Sequence, residues 1–112
     1  MAVKKVNTNA LTREAIRIFT ICGFECWRQN NGGVYDPTKK VFRANSSTPG
    51  ISDIIGYHRK TGVILACEIK TGADKLSPYQ TRFLDSIKSA GGFAFVVRTV
   101  SDLTTILKDN KS

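Results

Sequence analysis

The sequence predicts a layered α/β domain with a mixed central sheet, and three features predict it. Apolar residues recur at helical spacing near the start of the chain. Two strand-like runs joined by a short polar turn fill the middle. A marked helix start at Ser77-Pro78 leads to a buried strand and a last short helix. Helices alternating with strands in this order cover a sheet on its faces. The chain has 112 residues, which sets the expectation of one domain over 1–112, with its core at about 8–108.

Each element has its own reason. Leu11, Ala15, Ile18, Phe19 and Cys22 form one apolar stripe, with Arg13 and Arg17 on the other side and Gly23 where a helix-ending glycine belongs. Residues 24–29 (FECWRQ) read as a short strand, and Asn30-Asn31-Gly32-Gly33 as a turn. A further short strand is expected near Val41 to Ala44, before a turn at Thr48-Pro49-Gly50. Residues 51–58 (ISDIIGYH) and 63–70 (VILACEIK) form a hairpin across Arg59-Lys60-Thr61-Gly62. The second of these is nearly all apolar, as a central strand covered on both faces would be. Ser77 as N-cap, Pro78 at the first helical position and Gln80 two residues on make a capping box. Tyr79, Phe83, Leu84, Ile87 and Ala90 are expected to form the apolar stripe of this helix, which Gly91-Gly92 ends. Residues 93–98 (FAFVVR) read as a buried strand. Ser101 is expected to cap a final helix through about Lys108.

Composition narrows the function classes. The chain is 41% hydrophobic and 23% charged, the balance of an ordinary globular domain. It has no apolar run of the roughly 18 residues a membrane span needs, and its start has no apolar signal region, so a cytoplasmic protein is expected. Seventeen Lys and Arg against nine Asp and Glu give a net charge of +8. Such a domain attracts polyanions, nucleic acid first. Cys22, Cys26 and Cys67 sit among apolar neighbours without zinc-finger spacing, so buried reduced thiols are expected. His58 is the one histidine and reads as a strand-end residue. Trp27 reads as a core residue rather than a base-stacking one.

The feature that carries chemistry is acid within apolar strands. Asp53 interrupts an isoleucine-rich run, and Glu68 and Lys70 interrupt VILACEIK. Charged groups there are costly unless paired or metal-bound. If Arg59 to Gly62 is the hairpin loop, His58 opposes Val63, and stepping along the strands brings Asp53 opposite Glu68. A tighter Lys60-Thr61 loop gives the same register, whereas an odd-length loop would shift it. Opposed residues share a face, with Cβ atoms about 4.5–5.5 Å apart. Two carboxylates that close repel, and a hard divalent cation turns the repulsion into chelation. Alternation puts Lys70 on the same face as Glu68. This set suits phosphodiester hydrolysis, with a cation polarising phosphate and activating water, and the lysine orienting that water or stabilising charge. The plain alternative is a surface hairpin whose Glu and Lys face solvent.

The pattern Gly50-Ile51-Ser52-Asp53-Ile54-Ile55-Gly56, then Glu68-Ile69-Lys70, then Gln80 followed by Phe83, resembles a VRR-NUC domain, of the PD-(D/E)XK nuclease superfamily. Glu14, the Trp27 to Asn30 segment and Gly91-Gly92 also fit, so the resemblance spans roughly residues 10–105. It implies a restriction-endonuclease-like αβββαβ core. It implies Mg2+ or Mn2+ held by Asp53 and Glu68, with Glu14 as an additional acid near the metal, Lys70 as the catalytic lysine and Gln80 as the active-site helix glutamine. Ser52 stands where the superfamily name has proline, a variation VRR-NUC members tolerate. The small stand-alone members it is similar to are phage proteins and Holliday-junction resolvases. That implies a homodimer acting on branched or nicked DNA in a bacterial or phage-infected cell.

The residues also carry plainer readings. Glu14 could pair with Arg17 or favour the first helical turns, and Gln80 could only complete its capping box. Arg28, Lys39, Lys40, Arg43 and Lys75 are the candidate nucleic-acid contacts, near turns that could flank a duplex. No helix-turn-helix or zinc-finger pattern is present, which favours backbone and shape recognition. A non-catalytic DNA-binding module of the same fold, and a restriction-like or RNA-directed nuclease, are the alternative functions.

Overall fold

The computed structural model describes residues 8–29, 38 and 49–110, together with the backbone of 33–36 and 41–44. The expected turn at Asn30 to Gly32 and the start of the one at Thr48 lie outside the described residues. In chain order the elements are α1 (Thr8–Ile21), β1 (Phe24–Arg28), β2 (Gly33–Asp36), β3 (Val41–Ala44), β4 (Ile54–His58), β5 (Ile64–Ile69), α2 (Pro78–Ser89), β6 (Phe93–Val97) and α3 (Val100–Asp109). The main sheet runs β1-β4-β5-β6, and β2 and β3 form a separate antiparallel pair. β1, β4 and β5 are antiparallel to their neighbours, while β5 and β6 run parallel across α2. This is the expected α/β domain with a mixed sheet, compatible with a restriction-endonuclease-like core.

The central strand is buried on both faces, from Leu65 to Ile69. Alternation divides its side chains between two cores. Leu65, Cys67 and Ile69 join the larger one, under α1 and α3, with Leu11, Phe19, Phe24, Val97 and Leu103. Aromatic rings fill it: Phe19 lies 6.0 Å from Phe24 and 5.6 Å from Phe95, and Phe24 lies 5.1 Å from Phe93, centroid to centroid. Phe19 and Phe24 are fully buried, and each stabilises the fold by about 1.5–3 kcal/mol through area removed from water. Ala66 faces the smaller core beneath Leu84 and Ile87 of α2. Cys22 and Cys67 are buried, Cys26 is half-buried, and all three thiols are free.

The helix ends follow local chemistry. Gly23 has φ 100° and closes α1, its N–H donating to the Thr20 carbonyl. Ser77 caps α2 with the full capping box to Gln80. Gly91 and Gly92 donate to the carbonyls of Lys88 and Ile87, which ends α2 in a Schellman arrangement.

Four expectations need correction. Strand β2 was not anticipated, and it pairs with the expected β3. The last helix is capped by Thr99, not Ser101, because Asp102 stands at the right spacing to return a hydrogen bond to the Thr99 N–H. Trp27 is 46% exposed rather than part of the core. In α2 the sheet-facing stripe is Gln80, Leu84 and Ile87, spaced i, i+4, i+7, so Tyr79 and Ala90 fall beside it and are exposed.

Gly50 couples the loop before β4 to the start of α2. A Cβ there would stand 2.3 Å from the Tyr79 carbonyl oxygen and 2.7 Å from the Gln80 nitrogen. Gly62 shares the same left-handed backbone, φ 75° against 78°, yet faces open space. Gly62→Ala should therefore cost only the backbone penalty of about 1–2 kcal/mol, and Gly50→Ala at least about twice as much. Urea unfolding of both variants checks this, and equal losses would show that the close approach carries no weight.

Candidate active site

The hairpin places the acids. Ile54 pairs with Cys67 and Tyr57 with Ile64. The His58 N–H donates to the Val63 carbonyl at 2.8 Å, and the Gly62 N–H to the His58 carbonyl at 2.8 Å. The loop is thus Arg59 to Gly62, and the register is the one that sets Asp53 across from Glu68. Asp53 lies in a bend just before β4. Its carbonyl accepts the Gln29 N–H at 2.7 Å, and its Oδ2 accepts the Ile69 N–H at 2.8 Å. Asp53 is therefore tied to both sides at the end of the sheet, by its backbone carbonyl to the end of β1 and by its carboxyl to β5.

Glu68 is 1% exposed. It projects from the central strand on the α2 side, where Gln80 takes the middle of the helix face. The Gln80 side chain is used at both ends: Oε1 accepts the Ser77 N–H at 2.8 Å, and Nε2 donates to Glu68 Oε1 at 3.0 Å. Capping and active-site contact, which the sequence presents as alternatives, are made by one side chain. Among the described residues, Glu68 Oε2 and the Ser52 hydroxyl are buried without a hydrogen-bond partner. Burial raises the Glu68 pKa from 4.5 to about 8; the Asp53 carboxyl adds to the rise, and Lys70 and Ser52 oppose it. Asp53, Glu68, Lys70 and Gln80 thus meet at one end of the sheet.

Other candidates stand apart or nearby. Glu14 is gripped by Arg17, one turn along α1, through both carboxylate oxygens. This contact lowers the Glu14 pKa, mostly through the hydrogen bonds. Among the described residues no three His, Cys, Asp or Glu side chains converge as a metal-holding group, so Glu14 is not brought together with Asp53 and Glu68. Arg28 is exposed at the end of β1, next to the Asp53 bend, and Lys75 is exposed in the loop before α2. Lys39, Lys40 and the Arg43 side chain lie outside the described residues. No described helix is long and apolar enough to cross a membrane.

The sequence reading missed Arg98. Lys70 donates its N–H to the Val97 carbonyl at 3.0 Å, so Arg98 follows at the same sheet end. Its guanidinium donates to the Asp74 carbonyl at 2.7 Å and tethers the loop that carries Lys75. The only sequence signal is an arginine closing an apolar strand, which is common at any strand end.

The arrangement can hold a hard cation. Asp53 and Glu68 supply oxygen donors, and Glu68 Oε2, once deprotonated, is an acceptor with no donor among the described residues. Mg2+ is commonly bound by one or two carboxylates and keeps several waters, so two acids are a sufficient protein set. The buried Oε2 fits that demand better than it fits an ordinary surface hairpin.

Among curated proteins none matches the chain. The family model of the VRR-NUC domain matches residues 36–101, more than half of the chain, and takes in Asp53, Glu68, Lys70 and Gln80 but not α1. The chain belongs to the VRR-NUC domain family, a nuclease domain family of the PD-(D/E)XK superfamily.

Proposed function

We propose that the protein is a Mg2+- or Mn2+-dependent DNA endonuclease with Asp53, Glu68 and Lys70 at its reactive centre. The observation that carries this reading is the buried Oε2 of Glu68, which lies beside the Asp53 carboxyl and has no hydrogen-bond donor among the described residues. Two acids facing a polyanion would only weaken a pure DNA-binding module. With a divalent ion between them, the same acids become a binding site for phosphate.

Asp53 and Glu68 would hold the ion, which when bound would polarise phosphate and ease the deprotonation of water. Gln80 fixes one Glu68 oxygen, so the other keeps its direction. Lys70 stands on the Glu68 face, where its ammonium can orient the attacking water or neutralise charge on the phosphate. Arg28, Lys75 and the +8 charge of the chain favour the DNA backbone without reading sequence. Glu14 stays outside this proposal as a ligand while Arg17 holds it. Branched or nicked DNA as substrate, and a homodimer that presents two such sites, complete the proposal on the strength of the resemblance.

Cleavage of end-labelled four-way junction, nicked duplex, linear duplex and structured RNA tests the assignment. Asp53→Asn, Glu68→Gln and Lys70→Ala should each lose about a hundredfold or more of divalent-dependent cleavage while still binding DNA. Robust cleavage by all three variants would remove these residues from the site. Affinity without turnover in Mg2+ or Mn2+ would favour a binding module instead, and faster RNA cleavage an RNA-directed enzyme.

A pH profile follows from Glu68. Its pKa is raised on folding, so between 4.5 and about 8 the folded chain holds a proton that the unfolded chain has released. Stability of the metal-free protein should then fall as pH rises through that window. Glu68→Gln should flatten the fall, as seen by thermal melting across pH. Mg2+ affinity should rise over the same window, because the carboxyl must lose its proton to bind. A metal-free stability that rises with pH equally in both proteins would contradict the assignment.

A further inference from the structure

Tyr79 is an aromatic residue that the proposed chemistry does not use. The sheet-facing stripe of α2 runs through Gln80, Leu84 and Ile87, which leaves the ring of Tyr79 56% exposed. It is nevertheless set in a defined place. The Arg82 guanidinium lies 5.8 Å from the ring centroid. Pro49, Phe83 and Ser86 complete a hollow of about 250 Å³ with Tyr79 and Arg82. The Tyr79 backbone lies against Gly50, at the head of the loop that leads to Asp53. The next residue, Gln80, touches Glu68. The hollow therefore shares with the proposed reactive centre the loop that leads to Asp53 and the first turn of the helix that contacts Glu68.

Its lining points to one kind of occupant. Two aromatic rings and a proline ring offer flat apolar faces, and an arginine and a hydroxyl offer donors. Among the described residues no carboxylate lines it, unlike the neighbouring hollow on the outer side of α2, where Asp85 does. A nucleotide matches these features: its base has a π-face to stack and polar edges to accept hydrogen bonds, and its phosphate can meet the cation. In an intact duplex that face is covered by the adjacent base pairs. Only an unpaired or unstacked base can present it.

We propose that Tyr79, flanked by Arg82, is a stacking platform for an unpaired DNA base beside the reactive phosphate. This deepens the nuclease reading, on which it rests, by giving branched or nicked DNA a physical means of selection. Stacking on an aromatic side chain contributes enough that its removal weakens binding by about fivefold to 150-fold per base.

The test is anisotropy titration of the full chain, without divalent ions, against three labelled probes: a single strand, the same strand lacking its bases, and the blunt duplex. Tyr79→Ala should weaken single-strand binding by about fivefold or more, and Tyr79→Phe by less than about twofold. Neither variant should change the affinity for the baseless strand or the duplex. Tyr79→Leu, which keeps bulk without a π-face, should behave as Tyr79→Ala does and covers the case in which alanine disturbs the fold. Unchanged single-strand binding in Tyr79→Ala and Tyr79→Leu, or an equal loss on all three probes, would overturn the platform alone. A wild-type chain that binds none of the probes would overturn the nuclease reading, and the platform with it.

Discussion

Much of this structure turns on the burial of one carboxyl at the end of the central strand. Glu68 is 1% exposed, and an isolated buried carboxylate is among the costliest groups a fold can hold. The surroundings meet that cost only in part. Gln80 satisfies one oxygen, the other has no partner, and the Asp53 carboxyl stands close enough to raise the pKa further. A site relaxed for stability alone would have an apolar residue there, as the rest of β5 does. On the proposed reading, the residual cost is what would give the position affinity for a cation.

The fold supports this cost with stiff parts. Behind β5, toward α1 and α3, the sheet face is a tight set of aromatic rings and aliphatic chains. In front, α2 is fixed by its capping box, and Gly50 lets the Asp53 loop touch the backbone of its first turn. Loop, strand and helix start are thereby held against one another, and the reactive groups come from all three. The site lies at the carboxyl ends of the parallel pair β5 and β6, where the chain leaves the sheet and loops are free to shape a surface. This is where open α/β sheets place their ligands. The unpartnered Oε2, the Lys70 side chain and the Tyr79 ring are all set by elements whose other faces are occupied with packing.

The hairpin was legible because its loop is short and polar and its two strands are apolar runs of matching length. Placing the turn at Arg59 to Gly62 fixes which residues face each other, and Asp53 and Glu68 follow. The Ser77 capping box was legible because its signal is local. What escaped depended on distant or competing contacts. Tyr79 belongs by type to an apolar stripe, but the angle of the helix on the sheet gives the middle of that stripe to Gln80. Glu14 had two sequence partners in prospect, a metal and Arg17, and the nearer one on the helix takes it. Thr99 and Ser101 are both good caps, and only the position of Asp102 decides between them. Arg98 carries no signal until β6 is laid beside β5. The β2 strand sits in a region of weak periodicity, where sequence pattern alone gives little.

The central claim is that Asp53 and Glu68 together hold one divalent ion. Titration of the purified chain with Mn2+, followed by electron paramagnetic resonance of the free ion, tests it without any need for turnover. One bound Mn2+ per chain, weakened strongly by Asp53→Asn and by Glu68→Gln but not by Glu14→Gln, is the predicted result. Binding that survives both of the first two substitutions, or no binding in the wild-type chain, would contradict it.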